Sequence, residues 1–245
     1  MLKKYKILLP NWKKRSSALF ILSLILVFFF DFNNLNAFVK PGKQNDKMPL
    51  SQSVAEKYGF NNFSKVKSIA FTFNVQKGKK KFLRSWYWEP ETHKVTYKGI
   101  GKDGKEMNYS YYENKVDKKD TIATFVDANF INDQYWLLFP FHLVWDKKVD
   151  IEDAGSKPYP ISKKTAHCLI VKYPDSAGGY TPGDIFELYI GKDDLIHEWV
   201  YRPGGSTTKR NAMTWEKNKN FKGILISTEH IGSNNNFKLW FLILK

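Results

Sequence analysis

Apolar residues recur at every second position through most of this chain, and this period constrains the fold more than any other feature. The stretch 69–75 reads IAFTFNV, with its larger apolar side chains at alternate positions. Successive side chains of a β-strand point to opposite faces, so a period of two predicts a strand with one buried face. Similar runs predict further strands at Lys81–Glu89, Val95–Tyr97, Met107–Tyr112, His167–Tyr173, Ile185–Ile190, Leu195–Arg202, Ile224–Ile231 and Phe237–Leu244.

Two segments depart from this period and are predicted as helices. Residues 51–58 begin with serines that suit a helix N-terminus, and Gly59 follows. Between about residues 121 and 138, apolar residues recur at helical spacing, and Pro140 is expected to end the helix because proline lacks a backbone N–H. About nine antiparallel strands with two helices predict a mainly β (α+β) fold: a curved antiparallel sheet or open half-barrel with a helical lid or plug.

The connections and faces of the late strands can also be predicted. Residues 191–194 (GKDD) lie between two strand-like runs and have the turn chemistry of a hairpin. The C-terminal run 237–244 (FKLWFLIL) is apolar at odd and even positions alike, which predicts that both faces of this strand are covered.

The first 37 residues have the layout of a secretory signal peptide. Basic residues precede a thirteen-residue block, Ala18–Phe30, that is apolar except for Ser23, and a polar run then leads to Ala37. The apolar region of a signal peptide has about 7–15 residues, whereas a membrane-spanning helix needs about 17–25. The sequence therefore predicts cleavage near Ala37, with an uncleaved anchor at residues 18–30 as the alternative. Either way the protein is expected to be extracytoplasmic, periplasmic or secreted.

The rest of the chain is long enough for one domain and is strongly basic. Residues 38–48 predict a tether, and residues 49–245 a single β-rich domain. Of the 39 basic and 24 acidic residues, six and one lie in the first 37, so the remainder carries 33 and 23 and a formal charge of +10. The lysines cluster in predicted turns, which suits a solvated surface or an anionic membrane surface, and export argues against nucleic acid as a partner.

No short motif indicates catalysis, a metal site or a cofactor, and none of these is predicted. The five histidines are dispersed without metal-binding spacing. Cys168 is the only cysteine, so it cannot form an internal disulfide, and its apolar neighbours predict a buried side chain. The alternative that stays open is an exported hydrolase in which Asp133 and His142 act as a base and its orienting group.

The order of elements resembles the extracytoplasmic LolA/LolB/LppX-like group, whose members bind lipids or lipoprotein acyl chains. The resemblance covers residues 50–232 and includes the hairpin Asp184–Ile196 (DIFELYIGKDDLI). The chain also resembles a set of uncharacterised bacterial exported proteins in Asn132–Pro140 (NDQYWLLFP) and Gly179–Asp184 (GYTPGD). The resemblance implies a half-barrel of antiparallel strands, closed by helices that act as a lid, with a lipid chain between them.

The most informative constellation is aromatic. Residues 135–145 (YWLLFPFHLVW) form a dense cluster beside aromatic strands. Sites for apolar ligands are concave and lined by such side chains, so the chain is expected to bind a lipid, an acyl chain or a similar hydrophobic molecule. The alternatives are a core plugged by the helix, with contacts instead of a void, and a basic module that binds a cell-surface polymer. The predicted cavity or lid residues are Phe71, Phe73, Trp86, Trp88, Trp136, Phe139, Phe186, Leu188 and Trp199.

Overall fold

The computed structural model describes residues 48–175 and 182–244. The predicted signal peptide or anchor, and the predicted tether except for Met48, lie outside the described residues. The chain from Met48 onward forms one compact unit. Across the described ranges, no helix combines the length and the apolar character that crossing a membrane requires.

Two α-helices and twelve strands make up the regular structure of the described residues. The helices are α1 (Leu50–Lys57) and α2 (Thr121–Trp145). The strands are β1 (Ile69–Lys77), β2 (Lys80–Glu89), β3 (Lys94–Ile100), β4 (Glu106–Tyr112), β5 (Asp150–Pro158), β6 (Thr165–Lys172), β7 (Ile185–Ile190), β8 (Ile196–Arg202), β9 (Asn211–Thr214), β10 (Glu216–Phe221), β11 (Ile224–Ile231) and β12 (Phe237–Leu244). The predicted count of about nine strands is too low, because β5, β9 and β10 are rich in polar residues that hide the alternation.

All strand pairs are antiparallel, and they form two sheets that do not close into a barrel. The first sheet has the order β10-β11-β12-β1-β2-β3-β4, and the second has the order β5-β6-β7-β8-β9. This arrangement confirms the predicted mainly β fold with a curved, open architecture and a helix. It corrects the expectation of one continuous sheet, since the chain leaves the first sheet at α2 and returns to it at β10. The predicted turn at 191–194 is confirmed as the connection of the β7–β8 hairpin.

The first and last strands of the compact unit pair at the centre of the first sheet. Phe71 of β1 lies opposite Ile243, and Phe73 lies opposite Phe241. Phe71, Phe73 and Phe241 are buried on the inner face, as the alternation predicts. The prediction that both faces of the C-terminal strand are covered is wrong, because Leu242 is 55% exposed on the outer face.

Helix α2 begins at a well-formed cap and continues beyond Pro140. The Asp120 carboxylate accepts hydrogen bonds from the backbone N–H groups of Ile122 and Ala123, at 2.7 and 3.0 Å. The prediction that Pro140 ends the helix is wrong: its effect is an interruption at Leu138, where φ is −131° and ψ is 26°. Proline removes one intrahelical hydrogen bond, but its fixed φ suits the first turn of a new helical segment. The helix therefore consists of two segments joined at Leu138.

Candidate functional site

Helix α2 lies between the inner faces of the two sheets and contacts both. On the side of the first sheet, the Phe130 ring lies 5.3 Å from the Trp86 ring and 5.4 Å from the Trp88 ring, measured between centroids. On the side of the second sheet, Phe139 lies 4.8 Å from Phe186. These are the separations of aromatic pairs in direct contact. In this conformation, α2 fills the space between the sheets.

The structure brings all nine predicted site residues into a single apolar cluster. Eight of them are buried, and Trp136 is partly buried against the others. Trp136 contacts Trp199 with 4.4 Å between ring centroids, so the helix and the second sheet touch here also. The predicted alternatives were a void or direct contact, and this conformation has direct contact at these pairs. The role of the nine residues in ligand binding stays a prediction.

One polar cluster attaches the first segment of α2 to the first sheet. Asp133 is completely buried, and its carboxylate accepts hydrogen bonds from both Arg84 of β2 and the Trp86 indole. Arg84 Nε and Trp86 Nε1 each lie 2.8 Å from Asp133 Oδ2. Arg84 also donates to Asn129 Oδ1 at 3.0 Å. We call Arg84, Asn129 and Asp133 the Arg84 cluster.

Two opposing influences act on the carboxyl group of the Arg84 cluster. Burial raises the pKa of Asp133, while the adjacent Arg84 guanidinium and the donated hydrogen bonds lower it. Desolvation is the larger of these influences, so the pKa of Asp133 is raised overall. Removing either partner of such a buried pair leaves the other without compensation, which makes the pair a strong constraint on the position of α2.

A second polar cluster holds the other end of α2 against the second sheet. The Asp146 carboxylate, just after the helix, accepts hydrogen bonds from the hydroxyls of Tyr135 and Tyr173, at 2.8 and 2.7 Å. His142 Nδ1 lies 3.1 Å from both carboxylate oxygens. Tyr173 directly follows β6, so its hydroxyl links the helix to the second sheet. We call Tyr135, His142, Asp146 and Tyr173 the Asp146 cluster.

The ionisation of the Asp146 cluster follows from these contacts. Burial raises the pKa of Asp146, but hydrogen bonds from His142, Tyr173 and Tyr135 outweigh burial, so the pKa is lowered overall. Burial raises the pKa of the Tyr173 hydroxyl, and the nearby Tyr135 and Asp146 raise it further. Tyr173 is therefore a neutral donor to a carboxylate, which is a strong kind of hydrogen bond.

The predicted pairing of Asp133 with His142 is not formed. Asp133 is bonded to Arg84, and His142 lies between Asp146 and the Gln134 side chain, whose Oε1 is 2.8 Å from Nε2. Both ring nitrogens of His142 thus have a partner, and the ring is buried. Sequence reasoning missed Asp146, although its position four residues after His142, one helical turn away, is a signal that could have identified it.

Two buried polar atoms near Trp136 lack a hydrogen-bond partner among the described residues. They are the indole N–H of Trp199 and Nε2 of His230. His230 Nδ1 lies 3.2 Å from the Thr214 carbonyl oxygen, so Nδ1 carries the proton and Nε2 is an acceptor. Burial lowers the pKa of His230 to about 3, so the ring is neutral. No sequence pattern indicated this pair, because it depends on contacts between β8, β11 and α2.

The remaining candidate chemistry is limited in the described part of the chain. No three His, Cys, Asp or Glu side chains there come together in the way that metal binding requires. Cys168 is buried, as predicted, and burial raises the pKa of its thiol to about 11. A thiol of this kind is protonated at neutral pH and therefore unreactive.

No protein-family model matches the chain, and no curated protein matches it. Among solved structures, it is similar to a DUF1329 family protein from Desulfovibrio piger, at 9% identity and a TM-score of 0.41 over 80% of this chain and 91% of the other. It is also similar to an outer membrane lipoprotein-sorting protein domain from Vibrio parahaemolyticus, at 9% identity and a TM-score of 0.39 over 80% and 92% of the two chains. A third similar structure is lipoprotein LppX from Mycobacterium tuberculosis, at 6% identity and a TM-score of 0.30 over 79% and 94%. The third of these shares its name with the LolA/LolB/LppX-like group that the order of elements resembles, and the likeness is one of fold alone.

Proposed function

We propose that this chain is an extracytoplasmic, non-enzymatic protein that binds a lipid or acyl chain between its two sheets. The observation that carries the proposal is the way in which the interior is filled. The two sheets do not close on each other, and α2 supplies many of the side chains that occupy the space between them, together with Val54 of α1 and Tyr58 just after it. Displacing one element would therefore open a concave, aromatic-lined groove of the type that apolar ligands occupy.

The attachment of α2 supports its role as a lid. Besides its apolar contacts, α2 is held by two separate polar clusters, the Arg84 cluster on one sheet and the Asp146 cluster beside the other. The interruption at Leu138 separates Asn129 and Asp133 from His142 and Asp146, while the Tyr135 hydroxyl, on the first segment, donates to Asp146 beyond the second. A lid needs a defined closed position and a place to bend, and α2 has both.

The chemistry of the groove indicates a largely apolar ligand. The residues proposed to contact it are the nine predicted ones, which supply aromatic and aliphatic surfaces from both sheets and from α2. The unpartnered Trp199 indole N–H and His230 Nε2 add one donor and one acceptor beside Trp136. A ligand with a long apolar body and a neutral hydroxyl-like group would satisfy both atoms.

Two measurements test the proposal. Organic extraction and mass spectrometry of the purified protein should identify copurified lipid, and an apolar fluorescent probe, N-phenyl-1-naphthylamine, should bind and be displaced by that lipid. The variant Phe186→Ala removes a ring from the groove and should weaken probe binding. Tyr189→Ala is the matched control, because Tyr189 lies on the same strand but belongs to a different apolar cluster.

The two variants also separate a carrier from a permanently filled core. Both substitutions should lower the free energy of unfolding, by about 3–5 kcal/mol for a large aromatic side chain in a packed interior. Only Phe186→Ala should change probe affinity. If the native protein neither retains lipid nor binds the probe, α2 is a plug and the proposed function is wrong.

A further inference from the structure

The outer face of the first sheet carries a row of large apolar side chains that point away from α2. Cross-strand pairing fixes this face: Leu83 lies opposite Asn74, which lies opposite Trp240, and Tyr87 lies opposite Ala70, which lies opposite Leu244. We call five exposed side chains of β2, β3 and β12 on this face the outer patch; they are Leu83 (56% exposed), Tyr87 (44%), Ile100 (50%), Leu242 (55%) and Leu244 (61%).

The members of the outer patch lie on one face of the first sheet, with the short polar side chains of Thr72, Asn74 and Ser85 among them. Its members come from the adjacent strands β12, β2 and β3, with β1 running between β12 and β2. On this face β1 contributes only the short side chains Ala70, Thr72 and Asn74, so the longer side chains of its neighbours flank a shallow trough. Several large exposed apolar side chains grouped on one sheet face indicate a candidate interaction site in a folded protein.

Lysines border the outer patch. Lys81 precedes Leu83 on the same face of β2, and Lys98 lies opposite Ser85 beside the patch; both are exposed. Lys238 lies over the Trp240 ring at 5.8 Å and forms an ion pair with Glu229. Glu229 is itself shared with Lys217, so two lysines offset one carboxylate. The other acidic residues at the margins of the same face are Glu89, Glu106 and Glu216.

We propose that the outer patch docks on the surface of an anionic lipid bilayer. Leucine, isoleucine and the amphipathic rings of Tyr87 and Trp240 suit the boundary between headgroups and acyl chains. The bordering lysines would lie at the depth of anionic headgroups, where each contributes electrostatic attraction. The formal charge of +15 for the whole chain favours approach to such a surface.

A second copy of the chain fits this surface less well. A symmetric dimer places the same patch on both sides of the interface, so the lysine border of one copy would face that of the other. Like charges brought together in this way disfavour association. An anionic bilayer complements both the apolar centre of the patch and its basic border.

The test uses the full chain with a single environment-sensitive dye at a new cysteine. Cys168 is buried and the only native cysteine, so labelling is directed to the introduced site. Leu83→Cys and Leu242→Cys place a bimane dye in the outer patch. Ile122→Cys is the matched control, because Ile122 is 44% exposed but lies at the start of α2. Since all variants share the same N-terminal segment, any membrane attachment through that segment is common to them.

We expect a blue shift of bimane emission at positions 83 and 242, but not at 122, when vesicles of phosphatidylcholine and phosphatidylglycerol are added. The shift should be smaller with pure phosphatidylcholine and should weaken in high salt, which screens exposed charges. Absence of a shift at 83 and 242, or an equal shift at 122, would overturn the proposal. A shift that needs no vesicles and grows with protein concentration would also overturn it, in favour of a second copy.

Charge reversal tests the lysine border separately. Each lysine close to an anionic surface strengthens binding by about fivefold, so Lys81→Glu with Lys98→Glu should weaken vesicle binding by at least about 25-fold. The control is Lys118→Glu with Lys119→Glu, which reverses two exposed lysines that lie before α2 and changes the net charge equally. If both reversals have the same effect, net charge and not this face determines binding, and the proposal fails. Because probe capture by the groove is measured without vesicles, its outcome is independent of this result.

Discussion

The hydroxyl of Tyr173 offers the sharpest test of whether α2 is a lid. Tyr173→Phe removes one hydrogen bond to the partly buried Asp146 carboxylate and leaves the ring in place; this bond attaches the end of α2 to the second sheet. A hydrogen bond to a charged group contributes about 1.5 kcal/mol or more to the conformation that contains it. If this bond exists only when α2 is closed, its loss shifts the opening equilibrium by that amount, about 13-fold.

An apolar ligand that enters only the open form must then bind more tightly to the variant. Its apparent dissociation constant is the intrinsic one divided by the open fraction, so a 13-fold larger open fraction lowers it by about the same factor. We therefore expect Tyr173→Phe to be less stable in urea but to bind N-phenyl-1-naphthylamine about tenfold more tightly. A loss of stability together with unchanged or weaker probe binding would refute the lid, because a permanent plug gains nothing from being loosened.

Tyr201→Phe provides the control for this experiment. The Tyr201 hydroxyl donates to the Asp184 carboxylate at 2.9 Å, so the substitution removes a bond of the same chemistry. Neither residue belongs to α2. The control should lose similar stability without a gain in probe affinity. Equal gains in both variants would indicate general loosening of the protein rather than movement of α2.

Two further predictions concern the dependence of stability on pH. Arg84→Met leaves Asp133 buried without its counter-charge, which should cost about 3–5 kcal/mol at pH 7. The pKa of Asp133 is raised in the folded protein, so the stability that its protonated form contributes is lost as pH rises through that pKa. The decrease in unfolding free energy caused by Arg84→Met should therefore be smaller at pH 5 than at pH 7. Equal decreases at the two pH values, measured by urea unfolding, would contradict this. His230→Phe should flatten the pH profile, since a buried histidine with a pKa of about 3 stays neutral while the unfolded one is protonated. Its depressed pKa should cost the native protein about 2 kcal/mol between pH 7.5 and 5. The idea fails if His230→Phe keeps the native pH profile.

The elements that sequence could predict are those whose own residues contain the signal. The run 69–75 alternates cleanly, and the structure forms β1 there with the predicted inner face. β10 (EKNKNF) carries one buried residue, Phe221, so its place in the sheet depends on pairing with β11 and not on its own pattern. Pro140 was expected to end a helix because local propensity favours that outcome. The contacts of Phe139 and Phe141 on either side of it stabilise a second helical segment and override the local preference.

The candidate site also has features that the sequence could predict and features that it could not. Burial of the aromatic residues follows from composition and alternation, so their common cluster was predictable. The partner of Asp133 could not be predicted, because Arg84 is 49 positions away in the chain and reaches Asp133 only through the packing of α2 against β2. Coverage of the C-terminal strand was predicted wrongly for a related reason. An apolar sequence shows that a face can be buried, but only the arrangement of neighbouring elements determines whether it is.

The energetics of the proposed opening also limit the ligand. Withdrawing α2 exposes several large side chains, among them Phe130, Trp136 and Phe139, at about 1.5–3 kcal/mol each. The polar clusters add several kcal/mol more, because their buried partners would separate. Burial of each ligand methylene group contributes about 0.8 kcal/mol, so a ligand needs roughly a dozen or more methylene groups to offset the cost of withdrawing α2. A short-chain ligand cannot supply that much apolar surface, whereas one long acyl chain can. If α2 opens as proposed, the groove that it fills suits molecules of lipid length, because only they supply enough apolar surface to offset the withdrawal of the helix.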